Sequence, residues 1–321
     1  NKRTIVPWQN YFCIGSPPWP IQNRMKRASY PGGLAAAALA VFACIPAVAQ
    51  RSPAPPQAAA EAGSPAPSYA EMADLVIASP VIVDATIRST SKIKPTEAPG
   101  LAPGATRFYV EADVGALLRG PGAIPPRIGY LLDAAPDPLG RVPKYKKSRV
   151  LLFARPVPGR SDQIQLVRPD AQLGWSPASD ALARRIAAEV LAADAPPVIT
   201  GVGNAFHVAG SLPGEGETQV FLRTADHRPV SLSILRRPGE EPRWAVALSE
   251  IIDDSAAPPK PDTLLWYRLA CFLPRELPDD SVAALSGDDA TQAREDYRFV
   301  LNRLGRCERN ESGPNAGDGP R

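Results

Sequence analysis

Hydrophobic and polar positions change period several times along this chain. Phe108, Val110, Ala112 and Val114 alternate with polar or charged residues, the period of two that marks a strand with one buried face. Leu117-Leu118-Arg119-Gly120 closes that run. Val- and Ile-rich segments at residues 75–88, 127–132, 149–154 and 163–167 predict four more strands. Pro80 marks a bend in the first of these, and Gly/Pro clusters separate the others. Ahead of them, Ser68 and Glu71 fit a capping box and predict a short helix through Asp74. Five strands around one core predict a small barrel, with Trp175 sealing an end.

The period then becomes helical. Ser176 fits an N-cap, Pro177 fits the first helical position, and Leu182, Ile186 and Val190 recur every four residues. Pro196-Pro197 ends that helix. Strands are predicted again at 198–208, 218–224, 230–236, 244–249 and 263–273, with Asp226-His227-Arg228-Pro229 as a hairpin turn. A final helix is predicted at 290–304, with a buried stripe of Tyr297, Val300, Leu301 and Leu304 and a closing Gly305. The fold class is therefore mainly β with added helices (α+β). An OB-like barrel domain spans 68–175, a linking helix 176–195, and an antiparallel β domain with a packed C-terminal helix 196–307.

The residues before the barrel read differently. Met25-Lys26-Arg27 is a positive start, residues 33–45 are apolar, and Ala47-Val48-Ala49 presents small residues at the positions a signal peptidase reads. Residues 25–49 are thus a signal peptide, cut between Ala49 and Gln50. The apolar run is shorter than the ~20 residues that span a bilayer, so no transmembrane segment is expected after processing. Residues 1–24 contain no Met but do contain Pro7, Pro17, Pro18 and Pro20. They read as an upstream extension outside the native product, or as a disordered one. Lipidation at Cys44 is the alternative: the small Ala43 favours it and the bulky Phe42 opposes it. Residues 50–67 form a Pro/Ala-rich linker, and the polar tail 308–321 is expected to be disordered. The expected location is periplasmic or secreted.

Export changes how cysteine and charge are read. Cys13 and Cys44 leave with the leader, so Cys271 and Cys307 remain as an even pair in an oxidising compartment and predict a disulfide. That bond would pin the last helix to the strand carrying Cys271. The whole chain has a net charge of +3. Removing Lys2, Arg3, Arg24, Lys26 and Arg27 from its 36 basic residues leaves 31 against 33 acidic residues, a net of −2. Nothing then draws the product toward nucleic acid, and an exported protein does not meet the cytosolic kind.

Candidate chemistry is sparse. His207 is one of two histidines, and Ser211, Glu215 and Glu217 follow it. The serine lacks the Gly-x-Ser-x-Gly context of an exposed nucleophile, so a hydrogen-bonded strand-end histidine is the plainer reading. A pocket placing His207 beside a carboxylate would reverse that order. No metal-ligand spacing is present, and no metal or cofactor is expected. Asp253-Asp254 and Asp279-Asp280 read as a strand exit and a helix start. The densest charge is Arg141, Lys144, Lys146, Lys147 and Arg149, with Tyr145 among them. On an OB-like barrel such a loop can grip an anionic polymer; a solvated loop is the plainer reading.

Two resemblances follow from these residues. Ala73-Asp74-Leu75-Val76-Ile77-Ala78, Leu118-Arg119-Gly120, Val150-Leu151-Leu152-Phe153 and Trp175 resemble the netrin-like module, the OB-type barrel of tissue inhibitors of metalloproteinases. The likeness covers roughly residues 68–175 and implies a barrel. The inhibitors' N-terminal Cys and framework cysteines are absent, so it does not imply protease inhibition. Asn204-Ala205-Phe206-His207-Val208, Glu217-Thr218-Gln219-Val220-Phe221-Leu222 and Trp266-Tyr267-Arg268-Leu269-Ala270-Cys271 resemble a group of uncharacterised exported proteins of sphingomonad-type bacteria. That likeness implies a compartment and no chemistry. The sequence as a whole points to a non-enzymatic envelope binding or interaction module, whose partner is an anionic envelope polymer or another envelope protein. A hydrolase with a site around His207 is the alternative, and a structural envelope protein without a ligand is the third reading.

Overall fold

The computed structural model describes residues 66–137, 139–249 and 256–309. The leader with its cleavage site, Cys44, most of the 50–67 linker, Asp253-Asp254 and nearly all of the tail lie outside the described residues.

Helix α1 (Tyr69–Ala78) opens with the predicted capping box. The Ser68 amide donates to Glu71 Oε2 at 2.8 Å, and the Glu71 amide donates to Ser68 Oγ at 3.2 Å. The helix runs past Asp74 and takes in residues 75–78, which the Val/Ile content had assigned to a strand. Leu75 and Val76 each sit three positions after a buried residue, Met72 and Ala73, and so continue its buried face. The chain turns extended only at Ser79 (φ −110°, ψ 104°), because a residue before proline is pushed out of the helical region. Strand β1 (Val81–Lys92) starts immediately after Pro80.

Strands β2 (Thr106–Arg119), β3 (Arg127–Ala134), β4 (Arg149–Val157) and β5 (Arg160–Leu166) complete the predicted five. They run in the order β1-β2-β3-β5-β4 and close through antiparallel pairing of β1 with β4, from Val81–Ala154 to Thr86–Arg149. β3 and β5 are parallel and pair at one position, Gly129–Gln163. This is a closed OB-like barrel. A short β6 (Gln172–Gly174), not predicted, pairs with β4 and leads to Trp175.

The two sides of the barrel differ, and the sequence shows why. Residues 81–85 of β1 and 150–154 of β4 are buried without a break, as expected for strands covered on both faces. Beside Phe108, Val110 and Ala112 of β2, by contrast, the alternating positions are only half-buried. The β2/β3 side therefore keeps an open outer face.

Helix α2 (Pro177–Leu191) is capped by Ser176, whose Oγ accepts from the Ser179 amide at 3.1 Å. Its buried positions are Ser179, Ala183, Ile186 and Ala187. Leu182 and Val190, predicted to share the core face with Ile186, flank it and are half-buried. A second, antiparallel sheet follows: β7 (Ile199–Ala209), β8 (Gly216–Thr224), β9 (Val230–Arg236) and β10 (Arg243–Ala247), in the order β10-β9-β8-β7.

The strand predicted at 263–273 is instead helix α3 (Leu264–Ala270), capped by Thr263. Trp and Tyr favour strands, and a short run that is apolar on every side has no readable period. Tertiary partners decide it: Trp266 Nε1 donates to the Leu304 carbonyl at 2.8 Å, and Tyr267 Oη donates to Asp74 Oδ1 at 2.5 Å. Helix α4 (Gly287–Leu304) follows a 3-10 turn at Asp279–Val282 and ends at Gly305 (φ 76°). Tyr297, Val300 and Leu304 are buried as predicted; Leu301 is half-buried, and Ala293 and Asp296 complete the stripe. Cys271 and Cys307 are disulfide-bonded, with Cα atoms 5.1 Å apart. The bond joins the end of α4 to the C-cap of α3, not to a strand. One contiguous buried cluster runs through barrel, helices and second sheet.

Candidate functional site

The open side of the barrel carries a cleft of about 690 Å³ lined by β2, β3, β4, β5 and the segment after β5. It lies where β3 and β5 share a single pairing position. Its floor depends on Gly129. A side chain there would collide with the Tyr109 phenol, so the glycine lets that ring lie across β3. Tyr109 pairs with Leu131, which is 50% exposed, and together they give the cleft an apolar platform.

Planar polar groups surround the platform. Arg107 is fully engaged: Nε and Nη2 donate to Asp133 at 2.6 and 2.7 Å, and Nη1 donates to the Pro99 carbonyl at 3.1 Å. The Asp133 hydrogen bonds hold its guanidinium above the ordinary arginine value. Arg168 pairs with Asp170 at 2.8 Å. Arg155 differs, because its Nε donates to Gln165 Oε1 at 3.1 Å and no carboxylate lies within ion-pair distance among the described residues. Arg155 and the neighbouring Gln163 and Gln165 amides therefore face the cleft with donors to offer.

The predicted basic loop separates into two groups. Arg141 is tied to Asp137 at 2.9 Å, and the Arg141 backbone N–H, then its side chain, hold the Asp137 carboxyl below the usual range. Arg149 donates to both oxygens of buried Asp84, at 2.9 and 2.6 Å, and its guanidinium carbon lies 3.6 Å from the Trp175 ring centroid. Tyr145 is half-buried, edge-on to Phe108 at 6.3 Å. Within this loop, Lys144, Lys146 and Lys147 are the exposed cations for which no ion pair is found among the described residues.

His207 does not meet Ser211, Glu215 or Glu217. Ser211 and Leu212 bond Glu215 instead, and Glu217 lies on the opposite face of β8 from Thr218. His207 Nδ1 is 2.9 Å from Thr218 Oγ1, and Thr218 in turn donates to Asp296 Oδ2 on α4. Neither Thr218 nor Asp296 was legible as a partner, because 78 residues separate them and only the packing of α4 on the sheet brings them together. Arg155, Tyr109 and Gln165 were missed for the same reason: each sits in an ordinary strand pattern, and barrel closure gathers them.

An OB-like barrel joined to a four-stranded sheet defines an architecture on which many functions occur. No protein-family model matches this chain, and no curated protein matches it. Among the described residues, no helix is long and apolar enough to cross a membrane.

Proposed function

We propose that this chain is an exported, non-enzymatic binding protein of the bacterial envelope, and that its barrel takes an anionic glycan along the cleft between β3 and β5. The observation that carries the reading is Arg155, a guanidinium facing that cleft with an amide for a neighbour and no carboxylate within ion-pair distance among the described residues. Tyr109 and Leu131 supply an apolar surface for the C–H face of a sugar ring, and Gln163 and Gln165 supply bonds to its hydroxyls. Lys144, Lys146 and Lys147, on the connection between β3 and β4, add unpaired charge for a longer polymer. The signal-like segment at 25–49 and the Cys271–Cys307 bond favour an oxidising compartment outside the cytoplasm.

The test is calorimetric titration of the protein with polygalacturonate, using uncharged dextran as the control. Binding to the anionic polymer alone, weakening as salt rises, is expected. A charge-assisted hydrogen bond contributes about 1.5 kcal/mol or more, so Arg155→Ala should weaken binding about tenfold. Equal binding of both polymers, or an unchanged Arg155→Ala affinity, overturns the reading. For the compartment, the product recovered from the periplasm should begin at Gln50.

A further inference from the structure

The His207 cluster is independent of the barrel cleft and lies on the second sheet. Asp296 is a buried carboxylate, with its side chain 1% exposed. It accepts from three donors: Thr218 Oγ1, Arg236 Nε at 2.5 Å and Gln292 Nε2 at 3.3 Å. An ionised carboxylate only accepts, so the Thr218 hydroxyl hydrogen points to Asp296. The Thr218 oxygen can then only accept from His207. This fixes the proton of a neutral His207 ring on Nδ1 and leaves the lone pair on Nε2.

The other edge of the ring is placed as firmly. A side chain at Gly216 would sit 2.8 Å from His207 Cε1 and 3.2 Å from Nε2, so the imidazole occupies that space over the hairpin end. Gly216 pairs with Arg236, the residue that holds Asp296. His207 is half-buried, on strand β7 at the edge of its sheet, and the next residue, Val208, is 69% exposed. A buried carboxylate thus orients an imidazole through one hydroxyl, the kind of outer partner that sets the tautomer of working histidines.

We infer that His207 Nε2 is a pre-set proton acceptor for a hydroxyl-bearing ligand or a water molecule, with Thr218 and Asp296 as its positioning residues. The acceptor needs no nearby serine or second histidine. It also explains why a fully buried threonine faces α4.

The experiment is imidazole nitrogen NMR on the full ¹⁵N-labelled chain, in the pH range where both rings are uncharged. The chain holds two histidines, and His227 lies exposed in the β8–β9 turn, so it serves as the internal reference. His207 should show a protonated Nδ1 and an unprotonated Nε2, while His227 shows the mixture of a free ring. Thr218→Val should remove the difference, and Thr218→Ser should restore it. Diethyl pyrocarbonate, which acylates unprotonated imidazole nitrogen, should modify His207 at Nε2, several-fold more slowly in Thr218→Val, with His227 unchanged. A wild-type His207 carrying its proton on Nε2, or matching His227, overturns the inference whether or not the variants fold. So does a Thr218→Val protein that keeps the wild-type pattern.

Discussion

Arg149 and Lys146 sit three residues apart in one basic run, and their surroundings give them opposite roles. Arg149 neutralises Asp84, whose side chain is 3% exposed, while Lys146 is exposed and has no ion pair among the described residues. Asp84 is buried and Arg149 half-exposed, so removing the arginine leaves a buried carboxylate without its cation. Arg149→Ala should therefore shift the urea unfolding midpoint strongly, and Lys146→Ala should change stability by less than about 0.5 kcal/mol. Gly129 makes a second residue-scale case. Gly129→Ala forces the Tyr109 ring away and should cost about 1–3 kcal/mol as overpacking. It should also weaken polygalacturonate binding, because the platform moves; titration of the refolded variant checks this.

At the scale of elements, the helices and strands with clean periods were legible and the crowded ones were not. The Ser68–Glu71 box, the alternation from Phe108 to Val114 and the Gly305 stop each appear where their local chemistry puts them. Residues 75–78 and 264–270 do not follow their strand-favouring composition. In both, burial on several sides hides the period, and packing against other helices decides the conformation. The disulfide acts at this scale. It closes a separation of 36 residues and joins α3 to the end of α4. In the chain-entropy account such a link contributes up to about 4 kcal/mol. The double variant Cys271→Ser/Cys307→Ser should lose stability up to that amount, read by thermal or urea unfolding.

At the scale of the whole molecule, burial of tyrosines sets the alkaline limit of the fold. Tyr69, Tyr130, Tyr267 and Tyr297 are all pushed above the ordinary phenol range. Burial is the largest cause in each. Hydrogen bonding to Glu189 adds to it for Tyr69, and hydrogen bonding to Asp74 adds to it for Tyr267. The folded state thus holds protons that the unfolded chain releases near pH ~10. Stability is fully present below that pH and falls as pH rises from there through the folded-state values. From neutral pH, denaturant midpoints should stay flat up to about pH 10 and drop above it. A midpoint indifferent to pH in that alkaline range would contradict the burial of these phenols.

Local physics, written into the sequence, determined which segments alternate, where caps and prolines stop them, and that two cysteines pair. These depend on neighbours within a few residues, or on the count of partners available. Only the tertiary structure decided which side of the barrel stays open, that Arg149 pairs with buried Asp84 while Arg155 has no carboxylate partner among the described residues, and that Asp296 reaches His207 through Thr218. Each of those depends on groups tens of residues apart whose distance is set by strand closure and helix packing, and no local pattern encodes that distance.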